Sequence, residues 1–333
     1  MRSLSPARLA AAGLFLLGVA VLVLWLTPAD GYNIRLVDPA HRVAPLVHLA
    51  GEKPARGGGA IYFVDLRERR ARLLERILPW ARADGSSLVR EPPISSALEQ
   101  SIGRQDMTDS QKIAAVVALR HLGYKVRTRV GGVAVLLVQR SAPAARVLQP
   151  GDVIVAAAGR KTSTVTQLRH VLAHRRPGDT VTIRFRRARR LKTATLRTVA
   201  DPMDPNRTII GVSAEDELQA KLPIRVRIDL PGVLGPSAGL AFALDILQEL
   251  GRDVAHGQKV AATGELELDG SVEPIGGVKQ KTLGARRAGV DVFLVPAGEN
   301  AREARRYADG LRVLAVKNFP QALRELATIR PES

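Results

Sequence analysis

Residues Val233–Leu247 read VLGPSAGLAFALDIL, and this stretch places a serine where a loop turns into an apolar helix. A serine at the start of a helix most often caps the helix through its hydroxyl. Here Gly235 and Gly239 flank Ser237 and favour a second interpretation, because glycines leave room for another backbone to approach. The free N–H groups and the dipole of a helix start also favour negative charge. The stretch is therefore a candidate site for a nucleophilic serine and an oxyanion.

A nucleophilic serine needs a proton acceptor, and the following sequence offers two kinds. One is His256, which Asp253 or Asp269 would orient in a Ser-His-Asp triad. The other is lysine, because the segment EPIGGVKQK, residues 273–281, carries Lys279 and Lys281. A lysine acts as a base only when it is held uncharged.

The two lysines are two positions apart and point to opposite sides of a predicted helix. Lys279 shares its side with Arg286 and other charged residues. Lys281 shares its side with Val278 and Ala285, which are small and apolar enough to exclude water. Burial there would lower the pKa of the amine from about 10.4. The pattern favours Lys281 as the base, and the alternative is an ordinary surface amine.

The composition limits the chemistry. A length of 333 residues predicts two or three domains, and a hydrophobic share of 46% excludes a largely disordered protein. No cysteine is present, so a thiol nucleophile, a disulfide and a thiolate metal site are excluded. We expect no cofactor and no metal. The net charge of +18 suits anionic partners, but the densest basic run, Arg184–Lys192, contains only one aromatic residue. We interpret that run as a solvated hairpin end and expect no nucleic acid partner.

The amino-terminal segment Leu9–Ala29 is uncharged and about as long as a bilayer-spanning helix. We expect a retained transmembrane anchor over residues 9–29. The charges of Arg2 and Arg8 predict that residues 1–8 form a cytoplasmic tail and that the rest is extracytoplasmic. The alternative is a cleaved signal peptide, with Thr27–Ala29 as its cleavage site.

Residues 30–107 predict a mixed, β-rich region without recognisable chemistry. Within it, Ala60–Leu66 reads as a strand and Arg67–Leu78 as a helix. Thr108 and Ser110 can start a helix that ends at Gly123, and we place a domain boundary between residues 107 and 108.

Residues 108–202 carry a second set of motifs. They are SAPAA (141–145), PGDVI (150–154) and PGDTV (177–181). In order and spacing this block resembles a PDZ domain of the bacterial type. The resemblance implies that an extended peptide adds as a strand beside an exposed sheet edge, with its carboxylate held by backbone amides. The alternative is a β-rich spacer that binds no ligand.

Residues 205–330 alternate strands and helices, which predicts an α/β (α+β) domain. The motifs GPSAG (235–239), TGE (263–265) and PIGGVKQK (274–281) resemble the proteolytic domain of the Lon proteases, which are Ser-Lys peptidases. The resemblance implies that Ser237 is the nucleophile, Lys281 the general base and Thr263 a supporting residue. Many Lon enzymes have an acidic residue where this chain has Leu234. The sequence also contains no GxxxxGK[ST] phosphate loop, so no nucleotide-driven motor is predicted.

The whole arrangement is similar to the membrane-tethered PDZ–Lon proteins of bacteria. The resemblance implies an ATP-independent, membrane-anchored serine endopeptidase that cleaves unfolded or extended proteins selected by the PDZ-like domain, and it suggests assembly into a homo-oligomeric ring. Two alternatives remain open: a PDZ adaptor with a silent Lon-type domain, and a basic scaffold for anionic polymers.

Overall fold

The computed structural model describes residues 6–49, 58–91, 95–188, 190–201, 204–230 and 232–329. The first part of the chain contains α1 (Pro6–Leu26), β1 (Pro28–Val37), β2 (His41–Arg42), β3 (Val47–Leu49), β4 (Ala60–Phe63), β5 (Leu66–Arg72), α2 (Leu73–Ile77), β6 (Ser87–Arg90) and α3 (Ser96–His121).

The middle part contains β7 (Arg127–Val138), β8 (Val153–Ala157), β9 (Arg160–Lys161), α4 (Val165–Ala173), β10 (Thr180–Arg187), β11 (Arg190–Arg197), β12 (Val199–Asp201), β13 (Asp204–Ile209) and β14 (Val212–Lys221). The last part contains β15 (Val226–Ile228), α5 (Gly239–Glu249), β16 (Lys259–Ala262), β17 (Glu265–Leu266), β18 (Val272–Glu273), α6 (Val278–Arg287), β19 (Val292–Pro296), α7 (Glu299–Arg306), β20 (Arg312–Val316) and α8 (Phe319–Ala327).

Helix α1 covers most of the segment that the sequence predicts to be an anchor. Its large apolar side chains, such as Leu14 and Phe15, are exposed. The predicted span ends inside β1, where Ala29 is buried beside Ile34 and Ala71. In the stretches that the structure describes, no helix combines the length and apolarity needed to cross a bilayer. Residues 1–5 of the predicted tail lie outside the described residues.

A five-stranded sheet with the order β2-β4-β16-β19-β20 forms the centre of the fold. Its strands β4, β16, β19 and β20 are parallel, and β2 is antiparallel to β4. Alternate side chains of β16 and β19 face opposite sides, as the period of a strand requires. Val260 and Leu294 pack with α5 on one side. Ala261 and Phe293 pack with α6 and α7 on the other. Helices on both faces therefore bury the sheet.

The region predicted at residues 30–107 is built into this same fold. Strand β4 pairs with β16 over Ala60–Phe63, and β3 pairs with β15. Residues 67–72, expected to be helical, instead form part of β5, because β5 pairs with β1 in a small sheet ordered β5-β1-β6. Local periodicity cannot reveal a pairing of that kind.

Helix α3 starts twelve residues before the position expected from the sequence. Its first turn is capped by Ser95, whose hydroxyl accepts a hydrogen bond from Leu98 N. The two residues that suggested a helix start have other partners. Thr108 Oγ1 donates to Arg104 O, and Ser110 Oγ donates to Pro236 O. The predicted boundary between residues 107 and 108 therefore falls inside one continuous helix.

The PDZ-like unit has a separate core around Ile154, Leu168 and Ile183. Its sheet has the order β11-β10-β8-β7-β14, with β9 beside β8. The predicted turn at Pro150–Asp152 is present, with Gly151 at a φ of 88°. The basic run forms the β10–β11 hairpin, as expected, and Arg187 in it pairs with the buried carboxylate of Asp152. The edge of β7 is not exposed, because β14 covers it.

Helix α5 contains a buried carboxyl that should make stability depend on pH. Asp245 is 1% exposed, and neither of its carboxylate oxygens has a hydrogen-bond partner among the described residues. Burial raises the pKa of Asp245 to about 8, and Glu249 adds to the effect. The folded protein thus keeps a proton that the unfolded chain releases above about pH 4. The contribution of Asp245 to stability should therefore fall as the pH rises from about 4 to about 8.

We expect Asp245→Asn to remove the loss of stability that the ionisable carboxyl of Asp245 causes at higher pH. Urea unfolding should show a free energy of unfolding higher than that of the wild type, by at least about 1 kcal/mol at pH 8 and by less at pH 5. An equal difference between the two proteins at both pH values would contradict this assignment.

Candidate active site

The loop before α5 holds Ser237 in a fixed position. Gly235 has a φ of 85°, which favours glycine, and its N–H donates to Gly103 O of α3 at 2.8 Å. The next carbonyl, Pro236 O, accepts from Ser110 Oγ at 2.9 Å. Gly239 has a different role from the one expected, because a Cβ there would lie 2.8 Å from Ser110 Oγ. It permits close packing of α5 on α3 rather than access for a substrate.

Ser237 is not the helix cap that the simplest interpretation of its sequence suggested. The N-cap position of α5 is Ala238, and no side chain caps this helix. The hydroxyl oxygen of Ser237 instead accepts a hydrogen bond from Lys281 Nζ at 2.7 Å. The serine hydroxyl and the lysine amine, 44 residues apart in sequence, are therefore direct partners.

Lys281 lies in the first turns of α6, on the apolar face that the sequence indicated. Val278 and Ala285 on that face are buried, and Lys281 itself is only 3% exposed. Lys279 points elsewhere, with its amine 5.4 Å from the centre of the Tyr307 ring. The structure thus separates the two lysines as the helical spacing predicts.

Burial lowers the pKa of Lys281 to about 8. The nearby charge of Arg35 lowers it further, and that of Asp65 opposes the shift. Near neutral pH, roughly two orders of magnitude more of the amine is uncharged than in an exposed lysine. Burial also raises the pKa of Asp65, although its interaction with Lys281 works in the opposite direction.

Thr263 connects the serine and the lysine from the end of β16. It is fully buried, its Oγ1 donates to Ser237 O at 3.1 Å, and it accepts from Lys281 Nζ at 3.4 Å. Gly264 N also donates to Ser237 O, at 2.9 Å. Two donors therefore hold the backbone of Ser237, and all three predicted site residues meet at one point.

The arrangement around His256 does not resemble a catalytic triad with Ser237. The ring of His256 faces Asp253, with Nδ1 3.9 Å from the carboxylate, and its backbone N–H donates to the same residue. Asp269, the other candidate partner, accepts from Ser271 N. In the described part of the chain, none of these three residues lines the cleft that contains Ser237 and Lys281.

The amino-terminal region contributes to the site, which sequence reasoning missed. The cleft has a volume of about 1090 Å³, and its walls include Arg35 of β1, Asp65 and residues of β5, together with Ile102 of α3 and Leu234. Asp65 is the charged residue inside the predicted apolar strand Ala60–Leu66, which is the one local signal that the sequence offered. The position of Arg35 in the wall of the cleft had no such signal.

The same region also fixes the helix that carries the lysine. Gln280 Nε2 of α6 donates to Gly85 O at 2.9 Å and to Ser87 Oγ at 2.7 Å. At the start of α6, Gly277 has a φ of 70°, and a Cβ there would lie 2.2 Å from Leu66 Cδ2. Leu66, Gly85 and Ser87 therefore help to hold α6 in the position that brings Lys281 to the nucleophile loop. Among the described residues, no group of three or more metal-ligating side chains is arranged to hold an ion.

Comparison with known proteins separates the chain into two matched parts. Residues 224–327 match the family model for the Lon protease (S16) C-terminal proteolytic domain, and residues 120–198 match that for the PDZ domain. The chain is 36% identical to Lon protease 2 of Bacillus subtilis (strain 168) over 109 residues, and this stretch covers 32% of this chain and 19% of that protein. It is 48% identical over 68 residues to Lon protease 1 of Sorangium cellulosum (strain So ce56), which covers 20% of this chain and 8% of that protein.

Among solved structures, the PDZ domain of the SdrC-like protein from Listeria monocytogenes matches at 26% identity and a TM-score of 0.24, covering 26% of this chain and 90% of that structure. The chain thus spans a fifth or less of the length of the Lon proteases named above. It carries a Lon protease C-terminal proteolytic domain over residues 224–327 and a PDZ domain over residues 120–198.

Proposed function

We propose that this chain is a serine endopeptidase of the Lon type that works through Ser237 and Lys281. The observation that carries the proposal is the 2.7 Å hydrogen bond between Ser237 Oγ and the buried amine of Lys281. A neutral amine at that distance can take the hydroxyl proton without a third catalytic residue.

In the proposed reaction, Ser237 Oγ attacks the carbonyl carbon of a peptide bond as its proton passes to Lys281 Nζ. The ammonium of Lys281 then returns that proton to the leaving amine, and the C–N bond breaks to give an acyl-enzyme. Water, deprotonated by Lys281, attacks the ester; the bond to Ser237 Oγ breaks as Lys281 returns the proton to that oxygen, and the new carboxyl group is released. Gly239 N and Leu240 N, the first N–H groups of α5, already donate to Pro236 O and Gly264 O, so the oxyanion would need donors other than these two.

We propose that the reaction does not need ATP and that substrates must arrive unfolded or extended. The support is the absence of a phosphate loop from the sequence. Incubating the full chain with a reduced and alkylated protein should give fragments by mass spectrometry, with or without ATP and Mg²⁺. Cleavage only with ATP would contradict this, and no cleavage under any condition would favour the adaptor.

We propose that α1 holds the protein at a membrane, with the peptidase on the extracytoplasmic side. The exposed apolar side chains of α1 and the lack of charged residues from Leu9 to Leu26 support this. The full chain should stay with membranes during alkaline carbonate extraction, whereas a chain without residues 1–26 should not. Recovery of the full chain in the supernatant would contradict the anchor.

Thr263 should support the reaction rather than carry it. We expect Thr263→Val to slow acylation of Ser237 by a fluorophosphonate roughly 10-fold, because valine keeps the shape but loses the hydrogen bond to Ser237 O. Thr282→Val is the matched control, since Thr282 is equally buried but bonds Val278 O within α6. Equal acylation rates in the two variants would show that Thr263 does not support the reaction.

A further inference from the structure

The short segment that follows β5 presents two large apolar side chains to solvent. Ile77, the last residue of α2, is 58% exposed, and Trp80, in the turn after it, is 78% exposed. A single exposed apolar residue needs no explanation, but two large ones in one short segment indicate a surface that contacts a partner.

This segment is held firmly, so the exposure does not come from a loose loop. Glu75 of α2 is 1% exposed, and its carboxylate accepts from the guanidinium of Arg69 at 2.5 and 2.9 Å and from Arg72 N at 2.9 Å. Arg82 Nε, at the far end of the segment, donates to Glu75 O at 2.6 Å. Both ends of the segment are therefore tied to one buried residue, and the two apolar side chains are held outward.

The segment lies beside the last turn of α1. Leu73 N, at the start of α2, donates to Thr27 O at 2.9 Å, directly after α1 ends. The guanidinium carbon of Arg72 lies 4.1 Å from the centre of the Trp25 ring in α1. The exposed apolar surface of the segment is therefore close to the end of the helix for which we propose a membrane location.

Both tryptophans of the chain lie at this junction of α1 and α2. Trp25 belongs to the last turns of α1 and Trp80 to the segment, and Tyr32 lies nearby, with Arg76 4.4 Å from the centre of its ring. Tryptophan and tyrosine concentrate at the headgroup layer of membranes, because their rings combine an apolar body with a polar group. In a chain with only 4% aromatic residues, this placement favours a membrane surface as the partner.

The charge of the segment suits an anionic surface. Residues 66–82 contain six arginines and two glutamates, and both glutamates form ion pairs with arginines. Arg76 is exposed next to Ile77. Arginines at this depth bind anionic lipid headgroups while their aliphatic stems lie along apolar surface.

We propose that the junction face, which comprises Trp25, Arg72, Arg76, Ile77 and Trp80, lies in the headgroup layer of a bilayer that contains anionic lipids. Ile77 and Trp80 enter the upper part of the acyl region, and the two arginines bind lipid phosphate groups. This inference rests on the proposed anchoring by α1 and does not depend on peptidase activity.

Docking of the junction face holds the cleft close to the bilayer. Arg67, Arg69 and Arg70 of β5 line the cleft, and Arg72 is the last residue of the same strand. Because each residue of a strand spans about 3.3 Å, the wall of the cleft lies within about 25 Å of the junction face.

Tryptophan fluorescence tests the position of Trp80. Trp25→Phe in the full chain leaves Trp80 as the only tryptophan and keeps an aromatic ring beside Arg72. The protein is reconstituted into vesicles of phosphatidylcholine with about 30% phosphatidylglycerol, which carry lipids brominated near the headgroup end of the acyl chains. Only vesicles that float in a density gradient are measured, so that all the protein observed is membrane-bound.

We expect the brominated lipids to lower the emission of Trp80 at least about 2-fold, because its ring would touch the upper acyl carbons. Emission that the lipids do not quench would overturn the proposal and leave the anchor intact. If that unquenched emission were also shifted to shorter wavelength, a protein partner such as a second copy of the chain would cover Trp80 instead. A chain that does not float would overturn both the anchor and the proposal.

A second comparison tests the part played by charge. Quenching of Trp80 should fall at least about 2-fold in vesicles of phosphatidylcholine alone, a comparison that uses the same protein and so does not depend on how a variant folds. Arg76→Glu should have the same effect in the anionic vesicles, whereas Arg305→Glu, at an exposed position of α7, is the matched control and should not. Equal quenching with and without anionic lipid would overturn the role assigned to the arginines.

Discussion

Ser237→Ala is expected to lower the rate of peptide-bond cleavage by at least about 10³-fold and to abolish covalent labelling by a fluorophosphonate. The substitution removes the hydroxyl that accepts a hydrogen bond from Lys281 Nζ at 2.7 Å. It leaves the loop intact, because Gly235 N and Pro236 O keep their bonds to α3. Digestion of an unfolded protein by purified wild type and variant, followed by mass spectrometry, measures the effect.

Ser86→Ala is the matched control. The Ser86 hydroxyl is buried and has no hydrogen-bond partner among the described residues, so its loss should leave cleavage unchanged. If Ser237→Ala cut the same bonds at the wild-type rate, another nucleophile would have to exist and the proposed function would be wrong.

Lys281→Met is expected to lower cleavage and labelling by about 10²- to 10⁴-fold, the range that removal of a general base usually costs. Methionine fills much of the same space without a titratable group, so the protein should still fold. Lys281→Arg should not restore the rate, because a guanidinium stays protonated and cannot accept the Ser237 proton.

Lys279→Met is the control for the two substitutions of Lys281. Lys279 lies on the same helix two residues earlier, but its amine faces Tyr307 and not Ser237. We expect near-normal cleavage by that variant. Loss of activity in Lys279→Met with activity retained in Lys281→Met would reverse the assignment.

The position of Lys281 could be predicted from the sequence because it depends on local geometry. A helix that places Val278, Lys281 and Ala285 on one face must bury them together, whichever elements cover that face. The structure shows these three residues buried. The same reasoning placed Ser237 where a loop enters α5. Short-range periodicity was sufficient for both residues.

The walls of the cleft could not be predicted in this way. Strand β4 joins the central sheet by parallel pairing with β16, about 200 residues later in the chain. Asp65 follows β4 and comes near Lys281 through that pairing, whereas Arg35 comes near it from β1, which belongs to the separate sheet β5-β1-β6. The sequence of β5, rich in arginine, predicts a helix locally, and its pairing with β1 overrides that preference. Contacts of this kind depend on tertiary packing and leave no periodic signal.

The measurement that tests the central claim most directly is the pH dependence of Ser237 acylation by a fluorophosphonate in the wild-type protein, from pH 5 to pH 10. A proton acceptor works only when it is neutral, so the rate should rise with pH and level off above an apparent pKa near 8. A rate that does not change with pH, or that rises only near pH 10.5 as an exposed lysine would require, would contradict the role of the buried Lys281 amine.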